Sequence, residues 1–113
     1  MKKATIILLF AALTACTAIK LLTPTQTDAD RGTQKFKGYT LVDLNQGKSL
    51  FETKCTVCHK AKNPASKSED EWKEIVPKMA ARSKNRGKGE IDAQSQELIL
   101  KYLITMSSAP KKS

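Results

Sequence analysis

The stretch K-C-T-V-C-H-K, residues 54–60, gathers the residues best equipped for chemistry. Cys55 and Cys58 lie three apart, and His59, the only histidine of the chain, follows at once. Such a group could hold zinc, cycle as a dithiol, close a disulfide or attach a prosthetic group. A structural zinc site takes four Cys or His ligands, and the only cysteine left, Cys16, is expected to carry a lipid. A thioredoxin-like dithiol belongs in a βαβ setting, and no strand pattern occurs here. A lone disulfide leaves His59 without a task. C-x-x-C-H is also the attachment signature of c-type haem. One turn of chain sets both sulfurs to bond two vinyl-derived carbons of a porphyrin, and the next residue projects its imidazole at the iron. The chain is therefore expected to carry one covalent haem c, held by Cys55 and Cys58, with His59 on the metal.

The N-terminus sets the compartment. MKKATIILLFAALTA opens with Lys2 and Lys3 and continues with an apolar run from Ala4 to Leu13. This reads as a bacterial export signal. The run is short for a membrane-spanning helix, which takes about 20 apolar residues. Leu13-Thr14-Ala15-Cys16 resembles a lipobox, in which the cysteine becomes the lipidated first residue of the mature chain. Ordinary cleavage near this point is the alternative, although no good A-x-A site competes. The chain has 113 residues, with 20 Lys and Arg against 11 Asp and Glu, and a net charge of +9. That length fits a single domain. We divide it into a signal at 1–15, a lipidated Cys16 with a polar tether over 16–42, a folded domain over 43–107 and a basic tail over 108–113.

Three helices are expected to carry the motif, giving an all-α domain. The first spans about 43–55, with Asp43 as a possible cap, and groups Leu44, Gly47, Leu50, Phe51 and Cys55 on one face. The second starts at Ser68, which stands in capping-box spacing with Glu71. Trp72, Ile75, Val76 and Met79 recur along it at helical spacing, and Pro77 is expected to end or kink it. The third spans about 92–106, capped near Asp92, with Leu98, Ile99, Tyr102, Leu103 and Met106 inward. Residues 17–42 hold no lasting period and read as a flexible tether with a reach of roughly 25–30 Å, except that 36–42 could pack as a strap. A core this small usually needs a staple, and a haem would supply a large apolar disc for the helices to cover.

At this point the sequence resembles the small class I-type monohaem bacterial cytochromes c over about residues 43–106. The likeness lies in GKSLFETK running into CTVCH, a methionine further on, and a last helix containing LILKYL. EWKEIVPKM is similar to a subgroup with a Trp followed by a Met seven residues later. The resemblance implies a three-helix fold wrapped around one haem. It also implies that Gly47 and Phe51 of the first helix pack on Tyr102 of the last. A sulfur ligand opposite His59 is implied too, and Met79 matches the family order; a Met/His pair raises the potential. Met79 could instead simply continue an apolar face, and Met106 is the other methionine of the folded part. The interval from His59 to Met79 is short for the family, which keeps open an iron with a weak or absent sixth ligand. Pro64 is the nearest match for the proline whose carbonyl accepts the histidine N–H. Trp72 could pack on the porphyrin, donate its N–H to a propionate, or serve as a core residue.

The function expected is a one-electron carrier on the exported side of a bacterial membrane, at the periplasmic face. No nucleophile–base pair, phosphate loop or paired carboxylates suggest an enzyme. The alternatives are a haem enzyme or small-ligand sensor with an open iron position and, more distantly, a non-haem lipoprotein with one disulfide. The partners expected are the membrane, through the lipid on Cys16, and a redox protein with an acidic docking surface. The latter would face a basic loop bearing Arg82, Lys84, Arg86 and Lys88. Nucleic acid is not expected, and the chain is taken as a monomer.

Overall fold

The computed structural model describes residues 21–55 and 61–109. It is all-helical: α1 (Gln26–Thr33), α2 (Leu41–Lys54), a 3-10 turn at Pro64–Ser66, α3 (Glu69–Asn85) and α4 (Ala93–Ser107), with no strand among the described residues. No described helix is long and apolar enough to cross a membrane.

Local sequence explains each boundary. Thr25, Thr40 and Ser68 each begin a reciprocal capping box, with Asp28, Asp43 and Glu71 at the third helical position. Each box satisfies two backbone donors that the helix itself leaves unpaired. Asp43 is thus the partner in the box, and Thr40 is the cap. Asp92 caps α4 through the N–H of Ser95. α3 stops at a glycine in the left-handed region, Gly87, with φ +67°. There the Lys88 N–H donates to the Ser83 carbonyl and the Gly87 N–H to the Lys84 carbonyl, the two hydrogen bonds of a Schellman ending.

Pro77 does not end the second helix as expected; α3 runs eight residues past it. Pro77 lies on the exposed face, where water can serve the carbonyl that proline leaves without a donor.

α4 is the central element. α2 packs along it where Gly47 allows the closest approach: a Cβ there would stand 2.3 Å from the Leu98 carbonyl oxygen and 2.7 Å from the Tyr102 Cβ. Phe51 then meets Tyr102 with ring centroids 5.9 Å apart, and Trp72 edge-on at 6.3 Å. The packing of Gly47 and Phe51 against Tyr102 that the resemblance implied is present. Leu44, Ile99 and Leu103 complete a core with at most 1 % of their surface exposed.

The N-terminal segment departs from the tether reading. Residues 26–33 are helical, Ala29 is fully buried, and Leu21 and Tyr39 join the core. The reason is a pair of small residues and one arginine. Gly32 sits so close to Tyr39 that a Cβ would fall 2.7 Å from its ring. Arg31 donates to the Thr105 carbonyl at 3.0 Å and the Ser108 hydroxyl at 3.3 Å, closing the C-terminal end of α4. It also pairs with Asp28 at 2.9 Å. A cation at a helix C-terminus meets both unpaired carbonyls and the negative end of the dipole. The boundary drawn at 43 accordingly falls inside α2. At the other end, Ser108 caps α4 and Ala109 packs partly on the core, so both belong to the folded part.

Arg31→Ala is expected to cost about 1.5–3 kcal/mol, the range for hydrogen bonds to charged groups. Urea unfolding measures it, and limited proteolysis should then cut first within 26–33. Asp28 adds a pH signature. Burial works against its charge, but hydrogen bonds from the Thr25 backbone, Arg31 and the Thr25 hydroxyl hold its carboxyl below the ordinary 3.8. A carboxylate lowered on folding stabilises the fold fully above 3.8 and loses that contribution as pH falls through the lowered value. Asp28→Asn should be less stable than the wild type at pH 6, and the gap should close in strong acid.

Candidate haem site

Cys55 is the residue that caps α2 at its C-terminus; its N–H donates to the Phe51 carbonyl at 3.1 Å. It is 9 % exposed, and burial pushes its thiol up to about 11. Cys58 and His59 fall in 56–60, and Cys16 in 1–20; all three lie outside the described residues. The chain resumes at Ala61, which packs partly on the core, and turns at Pro64–Ser66.

That turn is fastened to α3. Asn63 caps it through the Ala65 N–H at 3.0 Å, and the buried Trp72 Nε1–H donates to the Pro64 carbonyl at 2.8 Å. The sequence reading had offered the indole N–H to a propionate and the Pro64 carbonyl to His59. In the structure the two groups satisfy each other. The carbonyl keeps a second lone pair for another donor, whereas Trp72 has only its ring left to present.

Two cavities share Met79 in their linings. One, of about 70 Å³, is lined by Cys55, Met79, Ser83 and Ile91 with Lys54, Arg82 and Arg86. The other, of about 210 Å³, is lined by Phe51, Trp72, Ile75 and Met79 with Lys62, Lys67 and Arg82. Met79 and Arg82 line both. The structure therefore brings Cys55, Trp72 and Met79 around one pair of hollows, while Pro64 stands behind Trp72. Met106 is buried in the core near the far end of α4.

The linings have a consistent chemistry. Their uncharged walls are mostly apolar or aromatic, with a thioether between them. Among the described residues every charged group of the two linings is a cation, and none is a carboxylate. A flat apolar group bearing two carboxylates would suit walls and rim alike. A soft thioether is a fitting donor for haem iron. The described lining, with Cys55, the Met79 thioether, apolar walls and cations, would suit a haem; His59, the other expected ligand, lies outside the described residues.

The basic stretch is rearranged relative to the sequence expectation. Arg82 and Lys84 are helical and Arg86 caps α3, so alternation no longer aligns the four cations. Arg82 and Arg86 share a face one turn apart and both line the smaller cavity. Lys84 lies 3.7 Å from Glu90. Ser83 and Ile91 line the smaller cavity without having been named from the sequence, and Arg82 and Arg86, expected only as docking cations, line it too. The signal for Arg82, Ser83 and Arg86 was their i+3, i+4 and i+7 spacing from Met79, which appears only once the helix continues through Pro77; Ile91, just before the α4 cap, had no such signal.

No protein-family model, curated protein or solved structure matches the chain.

Proposed function

We propose that the protein is a monohaem c-type cytochrome that carries single electrons on the exported side of a bacterial membrane, held there by lipid on Cys16. The observation that supports this reading best is the shared cavity of Cys55 and Met79: the first cysteine of C-T-V-C-H and a thioether line one hollow. When bound, haem supplies a reversible one-electron change at iron.

The chain's own residues would set how that change runs. Cys55 and Cys58 would hold the cofactor covalently, and His59 would supply an imidazole to the iron. Met79, one turn after Ile75, would offer a neutral sulfur to the iron. Phe51, Trp72, Ile75 and Ile91 keep water out. An apolar, water-poor site disfavours the extra positive charge of the oxidised state, which raises the potential. Lys62, Lys67, Arg82 and Arg86 offset the propionate charges. Arg82 and Arg86 also give the site a positive approach that steers an acidic redox protein toward it.

The test is a spectrum and an extraction. The exported protein should be red, and its pigment should stay with the polypeptide in acid–acetone. Cys58→Ala should weaken retention, and His59→Ala should remove the proximal ligand. A colourless protein would reject the proposal in favour of a non-haem lipoprotein with one disulfide, and haem that extracts fully would reject covalent attachment and with it the c-type reading. A high-spin ferric spectrum would point instead to an enzyme or ligand sensor with an open position.

A further inference from the structure

The larger cavity draws its charges from two segments. Arg82 stands on α3, whereas Lys62 precedes the Pro64–Ser66 turn and Lys67 follows it. Within that turn, Asn63 ties only its own neighbours. Its side chain accepts from the Ala65 N–H, and its carbonyl from the Ser66 N–H and hydroxyl. Among the described residues, one hydrogen bond joins 61–67 to the rest of the fold, from the Trp72 Nε1–H to the Pro64 carbonyl at 2.8 Å. Trp72 is 1 % exposed, lies edge-on to Phe51 and lines the same cavity.

An indole has a single donor. Trp72 has committed it to Pro64, so a carboxylate in the cavity beside it must turn to Lys62, Lys67 and Arg82. No ion pair among the described residues includes any of these three. Lys67 gives only the smallest pull on Glu71, whose carboxyl is held down first by hydrogen bonds with the Ser68 backbone and hydroxyl. The smaller cavity suits the carboxylates less, at about 70 Å³ against 210 Å³, and it holds Cys55. Haem carries its two propionates on the edge opposite the vinyl carbons that cysteines bond. With Cys55 at the smaller cavity, the propionate edge belongs to the larger one.

We propose that Trp72 is a positioning residue: through the Pro64 carbonyl it holds Lys62 and Lys67 at the larger cavity, where they and Arg82 take the propionates of the haem. This rests on the haem reading above. Lysine is a point charge on a flexible four-carbon stem, so its aim depends on the backbone that bears it. Pinning the turn between Lys62 and Lys67 fixes both stems at once. Cations held there disfavour the extra positive charge of oxidised iron and raise the potential.

A double-mutant cycle on the holoprotein tests this. Trp72→Phe keeps a ring in the core and removes the N–H. Replacing Lys62 and Lys67 together by Gln removes two cations and leaves the Trp72–Pro64 bond. Each change should lower the reduced-to-oxidised ratio several-fold at a fixed applied potential, and Trp72→Phe should add little once the lysines are gone. Arg86→Gln, which alters the smaller cavity, should instead add in full to Trp72→Phe. The Ala65 and Ser66 amides should exchange with solvent several-fold faster in Trp72→Phe, and at the wild-type rate in the lysine variant. Should Trp72→Phe fail to fold, the benzothiophene analogue of Trp72, which keeps the shape and lacks the N–H, takes its place in the cycle. An equal shift from Trp72→Phe with and without the lysines overturns positioning and leaves Trp72 a packing residue. A lysine variant with the wild-type ratio overturns the carboxylate site. A colourless wild type overturns the haem reading and this inference with it, whereas a red protein that fails the cycle overturns the inference alone.

Discussion

Gly47→Ala is expected to destabilise the protein by about 3 kcal/mol, although alanine is the better helix former by about 1 kcal/mol. The added Cβ would lie 2.3 Å from the Leu98 carbonyl oxygen and 2.7 Å from the Tyr102 Cβ. Both obstacles belong to or adjoin the backbone of α4, so no rotamer change relieves them. The helices must separate, and separation loosens Phe51 from Tyr102 and Leu44 from its neighbours. For a domain of this size the loss corresponds to a drop of about 15 °C in melting temperature. Circular dichroism on the purified protein measures it. Gln46→Ala, one residue earlier on the exposed face, is the control and should change stability by less than about 0.5 kcal/mol. A Gly47→Ala protein that melts with the wild type would show that α2 and α4 do not approach as closely as described.

The elements legible in the sequence are those whose signal is local or strongly periodic. Ser68 with Glu71, and Asp92 ahead of a long apolar face, announce α3 and α4 correctly because caps and periodicity act within a single turn. α1 escaped for the opposite reason. Its buried residues are Ala29 and Gly32, which carry almost no hydrophobic signal. Its stability comes from Arg31 reaching the end of α4, 74 residues away. Its capping box uses Asp28 where the usual pattern has Glu or Gln. Such a helix is chosen by tertiary contacts, and composition alone reads it as tether.

The site shows the same division. Cys55 and Met79 were marked by residue type and order, and the fold brings them to one cavity. The use of Trp72 was not legible, because its N–H partner depends on how a 3-10 turn meets α3. The basic run was misjudged through one assumption, that Pro77 stops the helix. Once α3 continues, alternation at every second residue scatters the cations, and Arg82 and Arg86 join the Met79 face.

Met79→Ala and Met106→Ala should fail in opposite ways. Met79 is half-buried on α3 and lines both cavities, so truncating it removes a sulfur from the site at little cost to the core. The weak sulfur-to-iron band should vanish, and cyanide and CO should bind. The potential should fall by on the order of 0.1 V, a modest part of the ~0.8 V that axial ligands command. The melting temperature should move by only a few degrees, at about 4–8 °C per kcal/mol. Met106 is 6 % exposed and packed in the core, toward the end of α4 remote from Ile91 and Cys55. Its truncation leaves a cavity and should cost about 2–5 kcal/mol, with band, potential and ligand access unchanged. Met106→Leu should recover most of that loss, because volume is nearly conserved, whereas Met79→Leu should behave like Met79→Ala in every spectrum, since leucine fills space but offers no lone pair. The comparison separates ligation from packing with absorption, potentiometry and thermal melting on the same four variants. A Met79→Leu protein that keeps the band and excludes CO would remove Met79 from the iron. A Met106→Leu protein that loses the band would put Met106 there instead.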